Sequence, residues 1–224
     1  MTDGIRLPRA RLTRRAWLAH CSALALAGAS PGLRAQAGPQ RILIVGDSLS
    51  AEYGLARGKG WVALLEQKLQ QEGSKAQVVN ASISGDTSSG GRSRLPALLD
   101  THKPTHVVIE LGSNDALRGL PLDMTRRNLS EMVGAAKAAG ARVLLVGMRM
   151  PPNYGRKYGE DFMALYESVA REHDVPLVPF LLKGVADVPQ AERLFQADRI
   201  HPNADAHPVM LGNIWPALKP LLKS

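Results

Sequence analysis

The chain holds a single cysteine, Cys21, in 224 residues. An internal disulfide is therefore impossible, and so is a metal site built from several thiolates. Aromatic residues make up only 4%, so any core must be aliphatic, made of Leu, Val, Ile and Ala. The apolar stretch from Trp17 to Ala29 is shorter than the about 20 residues that a permanent membrane helix needs. A Gly-x-x-x-x-Gly-Lys-Ser/Thr phosphate loop is missing. So is the Gly-x-Ser-x-Gly elbow, because Ser50 stands where that pattern needs its second glycine. No internal repeat or low-complexity tract occurs.

A net charge of +8 suggests a polyanion partner until it is located. Residues 1–37 carry six of the 28 basic residues and one of the 20 acidic ones, so the remainder nets only +3. No basic stripe with interleaved aromatics appears, which argues against nucleic acid.

Those first 37 residues read as a cleavable export signal. Arginines come first, then the short apolar stretch, then small residues ending in Ala35-Gln36-Ala37, an A-x-A cleavage pattern. Thr13-Arg14-Arg15-Ala16-Trp17-Leu18 resembles a twin-arginine signal with Trp17 in place of Phe; a general secretory signal with paired arginines is the other reading. Cys21 follows His20, a poor neighbour for a lipidated cysteine, and reads as a leader residue. The expectation is a single domain over residues 38–224, periplasmic or secreted, monomeric, and without a stable membrane anchor once the signal is cut. Lacking thiols, that domain would be indifferent to an oxidising compartment.

Within the domain, short apolar runs alternate with amphipathic stretches. Strands are expected at 41–46, 75–82, 106–112, 141–148 and 175–180. Helices are expected at 60–71, about 91–100, 123–139 with Asp123 as N-cap, 160–173, and within 204–223, the last disturbed by Pro208 and Pro216. Strands apolar on both faces and separated by helices imply a parallel sheet covered on both sides. Right-handed crossovers make this an α/β protein, a three-layer αβα sandwich around five parallel strands. Ligands then bind beyond the carboxyl ends of the strands, where polar loops hold Asp47-Ser48, Ser84-Gly85-Asp86, Ser113-Asn114-Asp115 and Arg149 to Gly159.

Ser48 ends the first strand, but a serine hydroxyl needs a base. His102, His106 and His173 fall at the wrong end of the sheet, and His207 starts the last helix. His201, in ADRIHPN, has Asp198 three residues earlier, close enough to orient its imidazole as a carboxylate does in a catalytic triad. Taken alone, Asp-x-x-His fits a locally capped loop better than a catalytic pair, because short motifs match often by chance. Donors for an oxyanion are available in the Ser48 N–H, the Gly85 N–H and the Asn114 amide. Each also has an ordinary turn role; the combination at successive strand ends is what is specific.

Gly46-Asp47-Ser48-Leu49, Gly85 in SISGDT, Gly112-Ser113-Asn114-Asp115 and Asp198-Arg199-Ile200-His201 together resemble the sequence blocks of the SGNH hydrolases, a branch of the GDSL esterase/lipase family. Longer stretches such as NASISGDTSSGG, VIELGSNDALRG, PPNYGRKY and DVPLVPF resemble a bacterial periplasmic group of that family that cleaves acyl thioesters, lysophospholipids and aryl esters. The resemblance implies a flavodoxin-like fold, catalysis by Ser48, Asp198 and His201, an oxyanion hole of Ser48, Gly85 and Asn114, and no metal or cofactor. Asp47 and Asp115 are expected to brace their loops. Leu117, Met150 and Pro151, from apolar segments near the site, are expected to flank a small-molecule acyl substrate. A carbohydrate acetyl esterase, or a non-catalytic acyl-binding protein on the same fold, would be the alternatives.

Overall fold

Ile42, Leu43, Ile44 and Val45 have no exposed surface, because the strand that carries them is an interior strand of a sheet covered on both faces. The computed structural model describes Met1 and residues 39–223. The expected signal, its paired arginines and Cys21 lie outside the described residues. Pro39–Ser224 form one compact unit.

The sheet has five strands: β1 (Arg41–Gly46), β2 (Gln77–Asn80), β3 (His106–Glu110), β4 (Arg142–Val146) and β5 (Leu177–Val178). Their order is β2-β1-β3-β4-β5 and every pairing is parallel. The helices are α1 (Trp61–Gln71), α2 (Ser88–His102), α3 (Ser113–Leu117), α4 (Leu122–Ala138), α5 (Arg156–His173) and α6 (His207–Leu222). α2, α4 and α5 pack side by side, and α1 packs on α6. These two groups form the outer layers, as the alternation of apolar runs predicts.

Strand order reverses on either side of β1, which leaves a crevice beyond the carboxyl ends of β1 and β3, the usual ligand position in such sheets. The core below it is mostly aliphatic. Its fully buried aromatic members are Trp61, at the start of α1, and Phe162 and Tyr166 on α5, whose rings meet edge to face at 5.3 Å.

Several expected boundaries differ. Ser113-Asn114-Asp115, expected as a loop, opens the one-turn helix α3 after Gly112, which adopts φ 116°. Asp123 does not cap α4: the cap position is Pro121, and Asp123 is the second helical residue, where its charge still faces the positive end of the helix dipole. Pro208 does not disturb α6 but sits in its first turn, where the missing N–H costs nothing. The helix continues through Pro216 and Pro220. β2 and β5 are shorter than expected, at four and two residues.

Candidate active site

The turn after β1 places Ser48 at the crevice. Asp47 Oδ1 accepts the Leu49 N–H at 3.0 Å, and the Asp47 carbonyl accepts from Ser50 and Ala51. These bonds fold residues 47–51 into a tight turn that leaves Ser48 partly exposed while Asp47, Leu49 and Ser50 are buried. From the far end of the chain, the loop before α6 brings His201 over it. His201 Nε2 lies 2.9 Å from Ser48 Oγ, and Nδ1 lies 2.7 Å from Asp198 Oδ2. A carboxylate only accepts, so Nδ1 carries the proton and Nε2 is left to accept from the hydroxyl.

Asp198 Oδ1 also accepts the N–H groups of Ile200 and His201, both at 3.0 Å. Those backbone bonds, and then the imidazole, hold the Asp198 pKa down at about 2. The locally capped loop and the oriented imidazole are thus the same structure. Tyr53 packs on the His201 ring at 4.3 Å between centroids.

The expected donors converge from three loops. Among the described residues, neither the Ser48 N–H nor the Gly85 N–H donates to another protein group. Gly85 has φ 78°, a conformation that disfavours any side chain. Asn114 Nδ2 donates to Asp86 O at 2.9 Å and to Asp47 Oδ2 at 3.1 Å. Both of its amide hydrogens are therefore engaged, and they tie the second and third loops to the Ser48 turn. Asp115 is fully buried: it accepts from Ser88 N (2.8 Å), Ser88 Oγ (2.5 Å) and Thr125 Oγ1 (3.2 Å), pinning α3 to α2 and α4. Leu117 and Pro151 are exposed and Met150 is half-buried.

Two features have no counterpart in the sequence reading. The first is Glu110, the last residue of β3, buried directly beneath the Ser48 turn. Its Oε2 accepts from Ser50 Oγ at 2.7 Å, and Ser50 Oγ accepts in turn from the Trp61 indole at 3.2 Å. Its Oε1 has no hydrogen-bond partner in the protein. Burial, and next the nearby Asp47 charge, push the Glu110 pKa well up, and burial pushes Asp47 up to about 6. The one signal available was an acid closing an otherwise apolar strand, HVVIE. The second feature is Arg94 on α2, whose guanidinium pairs with Asp86 at 2.8 Å and donates to the Ala81 carbonyl. It braces the loop that presents Gly85.

The remaining histidines do other work. His106 bridges Thr105 Oγ1 and the Leu221 carbonyl at the opposite end of the sheet, and His207 accepts the Trp61 N–H at 2.9 Å.

Residues 44–209, from the middle of β1 into the first turn of α6, match the GDSL-like Lipase/Acylhydrolase family. The chain belongs to that family. Among GDSL-like relatives, it is 52% identical over 205 residues to the esterase TesA of Pseudomonas aeruginosa, covering 92% of this chain and 98% of that one. It is 49% identical over 181 residues to thioesterase 1/protease 1/lysophospholipase L1 of Escherichia coli, covering 81% and 84%. A crystal structure of TesA superposes with a TM-score of 0.78 at 53% identity, over 81% of this chain and 99% of that chain. The GDSL-like chain is accordingly a hydrolase of ester bonds.

Proposed function

We propose that the protein is a serine esterase and thioesterase acting on acyl esters, acyl thioesters and lysophospholipids by way of an acyl-enzyme. The observation that carries this reading is the continuous Asp198–His201–Ser48 chain, with contacts of 2.7 and 2.9 Å. Ser48 Oγ attacks the acyl carbonyl while His201 Nε2 takes its proton. The oxyanion is met by the unpaired N–H groups of Ser48 and Gly85 and by one Asn114 amide hydrogen, released from Asp47 or Asp86. His201 returns the proton to the leaving alcohol or thiol, and water attacks the acyl-Ser48 by the same route. Asp47 and Asp115 hold the nucleophile turn and α3 in place, while Leu117, Met150 and Pro151 flank the acyl chain. Residues 1–37 are removed on export, which leaves a periplasmic or secreted enzyme.

The test is hydrolysis of a p-nitrophenyl acyl-ester series, an acyl thioester and an acetylated sugar by the parent and by a folded Ser48→Ala variant. Turnover by the parent that the variant lacks supports the mechanism, and the chain-length profile reports the pocket. Equal rates in the two proteins would remove Ser48 from it. A clear preference for the acetylated sugar would replace the acyl-chain reading.

A further inference from the structure

Each of the five loops at the carboxyl end of the sheet holds one large apolar side chain in solvent. They are Tyr53 after β1, Ile83 after β2, Leu117 after β3, Tyr154 after β4 and Ile200 after β5, each between 37% and 56% exposed. Among the described residues the only other large apolar side chains so exposed are Met1 and Val209. Val209 lies in the first turn of α6, which starts at this same end. Scattered apolar side chains on a surface need no explanation, but a set confined to one end and surrounding a site does.

Contacts join the loops that carry these tips. Tyr53 lies against His201, which links the first loop to the fifth. Arg118 donates to the Gly85 carbonyl at 2.8 Å, linking the third loop to the second. The Tyr158 hydroxyl donates to the Ala116 carbonyl at 3.3 Å, bringing Leu117 to the start of α5 and so near Tyr154.

The charge on the rim has one sign over most of its length. In the first four loops every exposed charged side chain is a cation: Arg57, Lys59, Arg118 and Arg149. The acids of those loops are turned inward. Asp47 and Asp115 are buried; Glu52 accepts the Gly58 and Gly60 N–H groups; Asp86 pairs with Arg94. The fifth loop is mixed, with Lys183, Arg193 and Arg199 beside Asp187, Glu192, Asp198 and Asp205. Its apolar tip, Ile200, follows Arg199 directly.

We propose that this rim seats on the surface of an anionic phospholipid bilayer, with the apolar tips in the headgroup region and the cations against the lipid phosphates. Apolar burial plus attraction to anionic headgroups is the way proteins dock on membranes without spanning them. Tyrosine suits that depth, with an apolar ring and a polar tip. The inference rests on reading the crevice as an acyl-ester site: docking places its mouth at the boundary where single-chain amphiphiles collect. No other face of the described residues combines exposed large apolar side chains with uncompensated cations.

The test is flotation with vesicles of phosphatidylglycerol and phosphatidylcholine in equal parts, and with pure phosphatidylcholine vesicles. The proteins begin at residue 38, because Pro39–Ser224 form a compact unit with a complete core. Four are compared: the parent; Ile83→Ser/Tyr154→Ser; Arg57→Gln/Lys59→Gln; and, at the opposite end of the sheet, Lys75→Gln/Lys137→Gln. The parent is expected to bind the anionic vesicles and to release them at high salt. Each rim variant should bind about tenfold more weakly or worse, and the opposite-end variant should match the parent. Turnover of a water-soluble short-chain ester should be the same in all four, which confirms that each is folded. Equal binding by all four, or none by the parent, overturns the proposal. A parent that binds vesicles yet hydrolyses no ester would instead overturn the acyl-ester reading and leave docking standing.

Discussion

Asn114 has no idle hydrogen. One goes to Asp86 O and the other to Asp47 Oδ2, so forming an oxyanion contact means giving up an existing bond; exchanging the one to the neutral Asp86 carbonyl gains a stronger, charge-assisted contact. Asn114→Ala should lower kcat by roughly 10²–10³ with KM changed far less, as expected for a donor engaged mainly in the transition state. Steady-state kinetics on one p-nitrophenyl ester checks this, and near-parental kcat would take Asn114 out of the oxyanion hole. Glu110 calls for a different experiment. Its raised pKa means that the unfolded chain releases the proton first as pH climbs, so stability falls with rising pH above the ordinary value of 4.5. Asp47 adds a decline of the same sign between 3.8 and about 6. Glu110→Gln mimics the neutral acid, still able to accept from Ser50, and should keep kcat within about threefold. Urea midpoints from pH 4 to 8 should fall less steeply in this variant than in the parent. An unchanged slope would mean that Glu110 does not hold its proton.

The turn between β1 and α1 depends on an absent side chain. A Cβ on Gly46 would stand 2.8 Å from Glu110 Oε2 and 2.8 Å from Ser50 Oγ, too close for either to remain in place. Gly46→Ala should therefore cost about 1–3 kcal/mol of stability by overpacking and should also lower kcat, because Ser50 and Asp47 shape the turn that carries Ser48. Thermal melts beside kinetics would separate the two effects, and a fully active variant would show that the turn tolerates the shift. The central elements were legible because burial on both faces leaves an unmistakable apolar run, as in RILIV and RVLLV. β5 was found but drawn too long, since two paired residues set no boundary in the sequence, and α3 was missed because one helical turn carries no period to read. The convergence of Asp198, His201 and Ser48 was legible as a pattern of residue types at strand ends, and their catalytic roles are those proposed above. The support beneath them was not: the contacts from Ser50 to Glu110 and from Asp86 to Arg94 are made by tertiary packing, and nothing in either local stretch announces its partner.

At the scale of the whole chain, the proposed leader and the folded unit make separate demands. If the paired arginines direct export, Arg14→Lys/Arg15→Lys should leave the uncut chain in the cytoplasm, and N-terminal sequencing of the exported parent should begin at Gly38. Export undiminished by that change would point to the general secretory route. The folded unit imposes an order in time as well. Ser48 and His201 are 153 residues apart, one near the start of the unit and the other close to its end. A chain emerging from the ribosome exposes the Ser48 turn first and gains His201 only after all five strands have been synthesised. On the proposed mechanism, truncated or half-made copies thus carry an inert serine, and activity itself certifies that a molecule was finished.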